Sequence, residues 1–525
     1  MGILEERAEE LSKFFTSEDD VFALINLPAE VQAALFARYA RTNKSVKEVF
    51  LGEFANVTEG RMDGISVESM VAAATSFHDR VFIGYGDDSV AQLCHIPVAV
   101  EGASNVLTKL LERSRLMSYL EQSTRAIKWD IKVDGKWRYT TPPELEQEEY
   151  ESLKADFDAQ MDASFQLYKD WITPVQTFLY NTYRDQYPEV EEAAFVSAVN
   201  AQALDILRPL LPAAITSNLG MIGSAQSWEK AVIFLQAYPL REAQDLAAKI
   251  LRELRKVTPT FMERATMPDR GQLWSLYFDN TRNAAHMATG KIMPSVETEG
   301  PFSAQQATLH RYDEDGEDRI CEAILYEAAF EPPISLAQAR EVVGSLPPED
   351  KAALINAYTG ERVNRRHRPG RAFESSVYTF DIVADYGIFR DLQRHRMLTF
   401  DWQLLDNRLG FNTAQGLQGM TDVSQLYTAW DGVMSGAAAL YDDMRAAFGS
   451  FVSQYCLPLA TYIRFKMELN ARELMHLVEL RTQKGGHESY RELTQTMYNL
   501  VKDVHPNVGS ALSFVDEAAY PLARI

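Results

Sequence analysis

The chain has 525 residues, of which 46% are hydrophobic, 24% charged and 11% aromatic. This composition is typical of globular proteins and excludes disordered and collagen-like chains, and the length favours two domains over one. Lysine and arginine number 52 against 74 acidic residues, which gives a formal net charge of −22. The chain as a whole therefore repels nucleic acid and anionic membranes, and an anionic ligand needs a local arginine cluster.

Cysteine usage and hydropathy bear on the cellular location. The three cysteines, Cys94, Cys321 and Cys456, show no metal or redox spacing, and their odd number argues against a disulfide framework. The amino-terminal residues lack the basic flank and apolar run of a secretory signal, and no uncharged apolar stretch reaches the roughly 18 residues that a membrane span requires. We therefore expect a cytoplasmic protein with no membrane partner and no nucleic-acid partner.

Hydrophobic periodicity predicts mainly helices. In chain order, the pattern indicates a helix at 4–15, a strand at 99–100, helices at 149–180 and 241–254, a strand at 377–383, and helices at 426–448 and 472–480. Because helices dominate, the predicted fold class is α+β. We expect two tandem helix-rich units, each with a small antiparallel sheet, packed as a pseudo-dimer.

Three short elements recur in the same order along the chain, which indicates an internal repeat. The pairs are Leu27-Pro28-Ala29-Glu30 with Leu346-Pro347-Pro348-Glu349, Arg113-Ser114-Arg115 with Arg394-His395-Arg396, and Leu211-Pro212 with Leu457-Pro458. The intervals between elements differ, but loops absorb such differences at little cost. We place the first repeat at 1–255, a connecting segment at 256–310 and the second repeat at 311–525.

A dense polar cluster in the first repeat is a candidate phosphate site. It contains Arg113, Arg115, Glu121, Ser123 and Arg125 within thirteen residues. Guanidinium groups bind phosphate oxygens in a bidentate manner, and the hydroxyl and carboxylate suit the other polar groups of a ligand. A solvated helix with i, i+4 ion pairs explains the cluster equally well.

The second repeat has a basic run within an otherwise acidic chain. Its members are Arg362, Arg365, Arg366, His367, Arg368 and Arg371. An exposed charged face, a nucleic-acid contact and a phosphate-binding loop around Pro369-Gly370 all remain open. The histidines show no zinc spacing, so no metal site is predicted, and neither a P-loop nor a dinucleotide-binding glycine motif is present.

The Arg394-His395-Arg396 string, together with the pattern from Arg113 to Arg125, resembles the signature of the flavin-dependent thymidylate synthases (ThyX). That signature is Arg-His-Arg followed by a serine-rich segment that ends in arginine. The resemblance extends to other elements of the family. They are Gly86 to Ala91 for Gly-His-x-Ser-x-Ala, Glu101 to Ser104 for Glu-Gly-x-Ser, Arg208 to Pro212 for Arg-x-x-Leu-Pro, and Asn470 to Arg481 for the Asn-x-Arg helix.

The resemblance implies an enzyme that methylates dUMP at C5 to give dTMP. The carbon donor of the family is methylenetetrahydrofolate, and FAD reduced by NADPH carries the hydride. Family members are homotetramers with sites at subunit interfaces, so two fused chains imply a homodimer that forms a pseudo-tetramer.

The resemblance also assigns residues. Those implied in nucleotide binding are Arg113, Glu121, Ser123, Arg125, Arg208, Gln393, Arg394 and Arg481, of which Ser123, Arg125, Arg394 and Arg481 are implied at the reacting groups. Those implied in flavin binding are Ser89, Arg394, His395, Arg396, Asn470, Arg472 and His476.

The two repeats retain complementary halves of this set. The first repeat has Ser224, Gln226 and Leu235 where the second has Asn470, Arg472 and Arg481. The second repeat has Trp402, Leu404, Asp406 and Gln454 where the first has Glu121, Ser123, Arg125 and Arg208. We therefore expect one composite site between the repeats.

Two departures leave other functions open, namely Asp87 for the family's flavin-contacting histidine and Ala126 for the tyrosine that closes its arginine motif. The alternatives are a related flavoenzyme acting on another pyrimidine nucleotide and a degenerate, non-catalytic nucleotide-binding protein.

Overall fold

The computed structural model describes residues 7–17, 20–40, 42–54, 67–78, 88–297, 299–329 and 331–525. The chain forms two compact units, and each is assembled from separate segments. The first unit comprises Met1–Ala103, Leu110–Gln122 and Ser217–Glu297. The second comprises Ser104–Lys109, Ser123–Thr216 and Thr298–Ile525. The repeat boundaries at 255 and 310 stay a prediction about duplication of the sequence.

Helices make up most of the described chain. In chain order they are α1 (Ala8–Leu11), α2 (Ala29–Tyr39), α3 (Val46–Val49), α4 (Val67–His78), α5 (Asp88–Leu93), α6 (Asn105–Leu111), α7 (Glu151–Tyr183), α8 (Glu192–Leu207), α9 (Ala225–Gln236), α10 (Arg241–Val257), α11 (Pro259–Glu263), α12 (Gly271–Ile292), α13 (Gly316–Ala328), α14 (Leu336–Ser345), α15 (Pro348–Thr359), α16 (Tyr386–Leu392), α17 (Val423–Phe448), α18 (Ser450–Ser453), α19 (Ala471–Arg481), α20 (Glu488–Val504) and α21 (Pro506–Ala511). None of the described helices is long and apolar enough to cross a membrane.

The strands form two small sheets. They are β1 (His95–Ser104), β2 (Met117–Glu121), β3 (Thr216–Ser224), β4 (Gln306–Tyr312), β5 (Val377–Asp385), β6 (Thr399–Trp402) and β7 (Tyr462–Asn470). The first sheet has the order β1-β3-β2, and the second the order β4-β5-β7-β6. All the pairs of the second sheet are antiparallel, as are β2 and β3. The predicted helix-rich α+β class with a small sheet in each part is confirmed.

The helices predicted at 149–180, 241–254, 426–448 and 472–480 are present as α7, α10, α17 and α19. The predicted helix at 4–15 is wrong over its described part, where only Ala8–Leu11 is helical. Phe15 instead forms a bridge with Leu24 and packs against the rings of Phe22 and Phe50. Burial of this aromatic cluster in the first unit outweighs the local preference for helix.

The duplicated Leu-Pro elements pair with each other inside the second unit. The main-chain N–H of Ala213 donates to Leu457 O at 2.8 Å, and that of Leu459 donates to Leu211 O at the same distance. Two further bonds flank these, from Ala214 to Tyr455 O at 3.1 Å and from Ala460 to Pro209 O at 2.8 Å. The donor and acceptor roles of the two repeats are interchanged about Pro212 and Pro458, which themselves form an isolated bridge. A local twofold axis therefore relates the two repeats here.

The basic run of the second repeat is not one exposed surface. Arg362 donates to both carboxylate oxygens of Glu479, at 2.6 and 2.5 Å, and to Ala511 O at 2.7 Å. The side chains of Arg362 and Glu479 are 2% and 1% exposed. This arginine thus belongs to a buried ion pair that fixes the start of the basic loop against α19.

The buried pair predicts a large loss of stability when only one partner is removed. Arg362→Gln leaves the Glu479 carboxylate buried without its counter-ion and should lower the free energy of unfolding by about 3 kcal/mol or more. The matched control is Lys466→Gln, which breaks the exposed Lys466–Asp401 pair, whose side chains are 45% and 59% exposed. Because exposed pairs contribute at most about 1 kcal/mol, urea unfolding should separate the two variants. Equal unfolding midpoints would contradict the assignment.

Candidate functional site

Four arginines converge on a small cavity in the second unit, which we call the arginine pocket. Its volume is about 30 Å³. It is lined by Ser123, Thr124, Arg125, Arg208, Gly387, Arg390, Asp391 and Arg394. Residues of both predicted repeats therefore meet at one place. This density of guanidinium groups is suited to an anion rich in oxygen atoms.

Local structure positions three of these arginines, Arg208, Arg390 and Arg394. Arg208 follows the last residue of α8, and Pro209 comes next and cannot continue the helix. On the other side, α16 carries Arg390 and Asp391, and its N-cap Asp385 accepts a hydrogen bond from the main-chain N–H of Ile388 at 2.8 Å. The capped helix thus holds its last turn, and Arg394 just beyond it, against the end of α8.

Arg208 has unused hydrogen-bonding capacity although it is buried. Its side chain is 2% exposed, and Nη1 lies 3.4 Å from Asp391 Oδ2. Among the described residues, its Nε and Nη2 have no hydrogen-bond partner. A Cβ atom at Gly387 would lie 3.2 Å from Nη2, so glycine leaves the room that the guanidinium needs. Buried N–H groups of a cation are costly without acceptors, so this arrangement favours a bound anion.

Two carboxylates balance part of the positive charge. Arg125 donates to both oxygens of Asp205, at 2.8 and 2.6 Å, in a bidentate pair. Burial raises the pKa of Asp391, but the nearby Arg208, Arg394 and Arg481 outweigh it and hold that pKa below its ordinary value. Both carboxylates are therefore ionised at neutral pH.

Tyr490 joins the first-repeat and second-repeat arginines, and sequence analysis did not identify it. Arg125 Nη1 donates to the Tyr490 hydroxyl at 3.1 Å. The guanidinium carbons of Arg125 and Arg481 lie 5.6 and 5.4 Å from the centre of the Tyr490 ring. The ring is buried and near both cations, an arrangement that is stabilised by cation–π attraction.

His395 is held in one neutral tautomer. Arg481 Nε always carries hydrogen and lies 3.1 Å from His395 Nε2, which must accept it. Nδ1 then carries the ring hydrogen and donates to Glu473 Oε1 at 3.0 Å. Burial and the Arg481 charge hold the pKa of His395 well below its ordinary value. The imidazole is thus a neutral bridge between Glu473 and Arg481.

His476 adjoins this bridge. Its ring centre is 5.4 Å from that of His395, and burial lowers its pKa to about 4. Ligand atoms of His395, Glu473 and His476 lie within 4.8 Å of one another, which is close enough for a metal ion. Both ring nitrogens of His395 are already hydrogen-bonded, however, so we assign this group to hydrogen bonding and not to a metal.

The remaining second-repeat residues surround the start of α19. Asn470 is the N-cap and accepts a hydrogen bond from the main-chain N–H of Glu473 at 2.9 Å. Arg472 Nε donates to Pro369 O at 3.0 Å, so the basic loop lies beside the helix start. Arg396 is exposed. Because a helix N-terminus and cationic side chains both attract anions, this surface suits a phosphate-bearing group.

Other predicted site residues lie apart from the arginine pocket or in the first unit. Gln393 is buried, and its Nε2 donates to Lys109 O at 2.7 Å. In the first unit, Ser89 is exposed on α5, Glu121 is buried at the end of β2, and the Arg113 guanidinium lies 5.0 Å from the Phe234 ring centre. Asp87 lies outside the described residues.

The second repeat has an amide where the first has its buried arginine. Gln454, which corresponds to Arg208, is buried, and its Oε1 accepts a hydrogen bond from the main-chain N–H of Leu405 at 2.9 Å. Leu405 corresponds to Thr124, because 394 − 113 = 281 and 405 − 281 = 124. The amide at this position is therefore bonded to the main chain of its own repeat.

A larger cavity of about 460 Å³ lies on the other side of Asp205. Among the described residues that line it there is no lysine or arginine, whereas Glu488 and Glu492 contribute carboxylates. An anion is therefore disfavoured there, and we take the arginine pocket as the candidate site.

Comparison with known proteins identifies close relatives. A UPF0159 protein of Chlamydia muridarum is 33% identical over 530 residues, covering 99% of this chain and 97% of that protein. A UPF0159 protein of Thermoplasma acidophilum is 28% identical over 519 residues, covering 94% and 97%. Among solved structures, a UMP/dUMP methylase PolB from Streptomyces cacaoi bound with 5-Br dUMP has 18% identity and a TM-score of 0.33, covering 42% of this chain and 99% of that chain. A similarity at that level carries no argument about this chain.

The family model for "Thymidylate synthase complementing protein" matches residues 29–260 and 309–507. The two matched regions follow each other along the chain, as the internal repeat predicts. The chain therefore belongs to the thymidylate synthase complementing (ThyX) family, as a fused tandem member.

Proposed function

We propose that this protein is a flavin-dependent thymidylate synthase with one composite site, built from both repeats around the arginine pocket. The observation that carries the proposal is Arg208, buried with unpartnered N–H groups where residues of both repeats converge. A nucleotide phosphate supplies the acceptors that these groups lack. Family membership supports a thymidylate-synthase type of enzyme.

In this proposal the arginine pocket binds the 5′-phosphate of dUMP. Arg208 and Arg394 donate to its oxygens, and Ser123 and Thr124 offer hydroxyl groups on the same side. Arg125 is oriented by Asp205 and Tyr490, and Arg481 contacts the Tyr490 ring and donates a hydrogen bond to His395. Arg125 and Arg481 then polarise the pyrimidine and neutralise the charge that develops on it.

The flavin is proposed to bind at the start of α19, next to His395 and His476. The exposed Arg394 and Arg396, the half-buried Arg472 and the N-terminus capped by Asn470 suit its pyrophosphate. When bound, FAD reduced by NADPH supplies the hydride for the one-carbon unit from methylenetetrahydrofolate. The uracil C5 gains a methyl group and loses a proton, which leaves dTMP, tetrahydrofolate and NADP.

The cysteines support a route without a thiolate nucleophile. Burial raises the pKa of Cys321 to about 11, and burial raises the pKa of both Cys94 and Cys456 still further. All three are buried thiols that stay protonated at neutral pH. In the flavin-dependent route the protein binds and orients the substrates, and no side chain needs to attack the pyrimidine.

One site per chain is part of the proposal, because the second repeat has Gln454 where the first has Arg208. The Gln454 amide bonds the main chain of Leu405 and offers no guanidinium to a phosphate. The proposal also includes a cytoplasmic homodimer of four repeats, since the sites of the family lie between subunits. Sedimentation of the purified protein measures the number of chains.

An alternative within the same fold is a flavoenzyme acting on another pyrimidine nucleotide. Ala126, where the family has tyrosine, lies in a turn in which its N–H donates to Ser123 O at 3.3 Å. Alanine lacks the hydroxyl group that a tyrosine at this position would offer to the ligand. Assays with dUMP, UMP, dCMP and CMP as methyl acceptors separate this alternative from thymidylate synthesis.

Arg394→Ala should abolish thymidine-independent growth of a thymidylate-synthase-deficient host that depends on this protein. It should also weaken dUMP binding at least about tenfold, because charge-assisted hydrogen bonds contribute roughly 1.5–3 kcal/mol. The control is Arg408→Ala in the same repeat, which removes an exposed arginine paired with Asp406. Growth of the Arg394→Ala strain at the wild-type rate would contradict the proposal.

Tyr490→Phe should weaken dUMP binding about threefold to tenfold, because Arg125 loses one of the acceptors that orient it while the ring between the two arginines remains. The matched control is Tyr180→Phe, which removes the hydrogen bond from a tyrosine hydroxyl to Glu192 on an exposed helix surface. Titration calorimetry measures both variants. Equal dissociation constants for dUMP in both variants and the wild type would show that the Tyr490 hydroxyl does not contribute to nucleotide binding.

A further inference from the structure

Asp391 places a carboxylate inside the site that is proposed to receive a phosphate. Its Oδ2 is 3.4 Å from Arg208 Nη1, and its side chain is 16% exposed. Its main-chain oxygen accepts a hydrogen bond from Arg481 Nη2, so the residue contacts both repeats' arginines through different atoms. Substitution of the side chain leaves the main-chain contact in place.

The Asp391 carboxylate lines the arginine pocket beside the donors that a phosphate would use. Its Oδ2 faces Arg208 Nη1 at 3.4 Å, so an anion that binds Arg208 must share this guanidinium with the carboxylate. The carboxylate and a ligand anion therefore compete for the same guanidinium groups.

Only the second repeat has a carboxylate at this helix position. The equivalent residue in the first repeat is Leu110, since 394 − 113 = 281 and 391 − 281 = 110. Leu110 is a buried apolar residue. Leucine therefore suffices for packing at this helix position in the first repeat. The second repeat has an acid there, and this acid lines the arginine pocket.

We propose that Asp391 is a specificity-determining residue that limits the anionic charge accepted by the arginine pocket, so that a phosphate monoester binds in preference to a diphosphate. The proposal rests on the proposed nucleotide site. Because Coulomb energy scales with the product of the charges, each added negative charge on a ligand meets a larger repulsion from Asp391.

A positioning role makes the opposite prediction. If Asp391 served mainly to orient Arg208, its removal would disorder the guanidinium and weaken binding of every anion. If it limits charge, its removal strengthens binding, and does so most for the most highly charged ligand. The sign of the change in affinity therefore distinguishes the two roles.

The test is titration calorimetry of the full-length protein and of Asp391→Asn with dUMP, dUDP, inorganic phosphate and pyrophosphate. Asparagine keeps the size of the side chain and removes its charge. The control is Asp406→Asn, which removes a carboxylate paired with exposed Arg408 outside the arginine pocket. Thermal melting of each variant shows that it is folded.

Asp391→Asn should strengthen binding of dUMP roughly tenfold and of dUDP roughly thirtyfold, with the same order for phosphate and pyrophosphate. Asp406→Asn should change neither. Weaker binding, unchanged binding, or an equal gain for mono- and diphosphates would overturn the proposal. If phosphate and pyrophosphate respond as stated but neither nucleotide binds, Asp391 keeps this role and the proposed synthase function fails. If none of the four anions binds, both fail.

Discussion

The pairing of Leu211-Pro212 with Leu457-Pro458 is the constraint on which the site depends. Its four main-chain hydrogen bonds are arranged symmetrically about Pro212 and Pro458 and tie one repeat to the other within a single compact unit. Arg208 lies just before the first element, and Gly387 on α16 donates its main-chain N–H to Leu459 O, next to the second. The pairing of the two Leu-Pro elements therefore brings the end of α8 against α16, and the arginine pocket forms where they meet.

The main chain pairs symmetrically, but the side chains on the two sides of this pairing differ. On one side, the Asp391 carboxylate offsets the charge of Arg208, and Asp205 and Tyr490 orient Arg125. On the other side, the Gln454 amide closes onto the main chain of Leu405. A neutral amide bound to the backbone needs no ligand, whereas buried guanidinium N–H groups require an acceptor. In the proposed function, the binding residues of the two copies are therefore combined at one place.

Sequence patterns predicted the long amphipathic helices, because periodicity over three or more turns is a strong signal. They did not predict the aromatic cluster around Phe15, in which Phe22 and Phe50 pack against its ring. Arg125, Arg208 and Arg394 were found through the family signature. Arg390 was missed, although its place one helical turn before Arg394 was a usable signal. Asp391 and Tyr490 had none, because their importance arises from contacts with Arg208 and Arg125 that only the folded chain creates.

Nucleotide and flavin that occupy one composite site should affect each other's environment, which the absorption spectrum of the purified protein reports. FAD is added until the protein is saturated, and dUMP is then titrated while the visible flavin bands are recorded. A saturable change of the flavin spectrum is expected in the wild type, and a much weaker response in Arg394→Ala. A protein that takes up no FAD, or a flavin spectrum that dUMP leaves unchanged at saturation, would contradict the composite site.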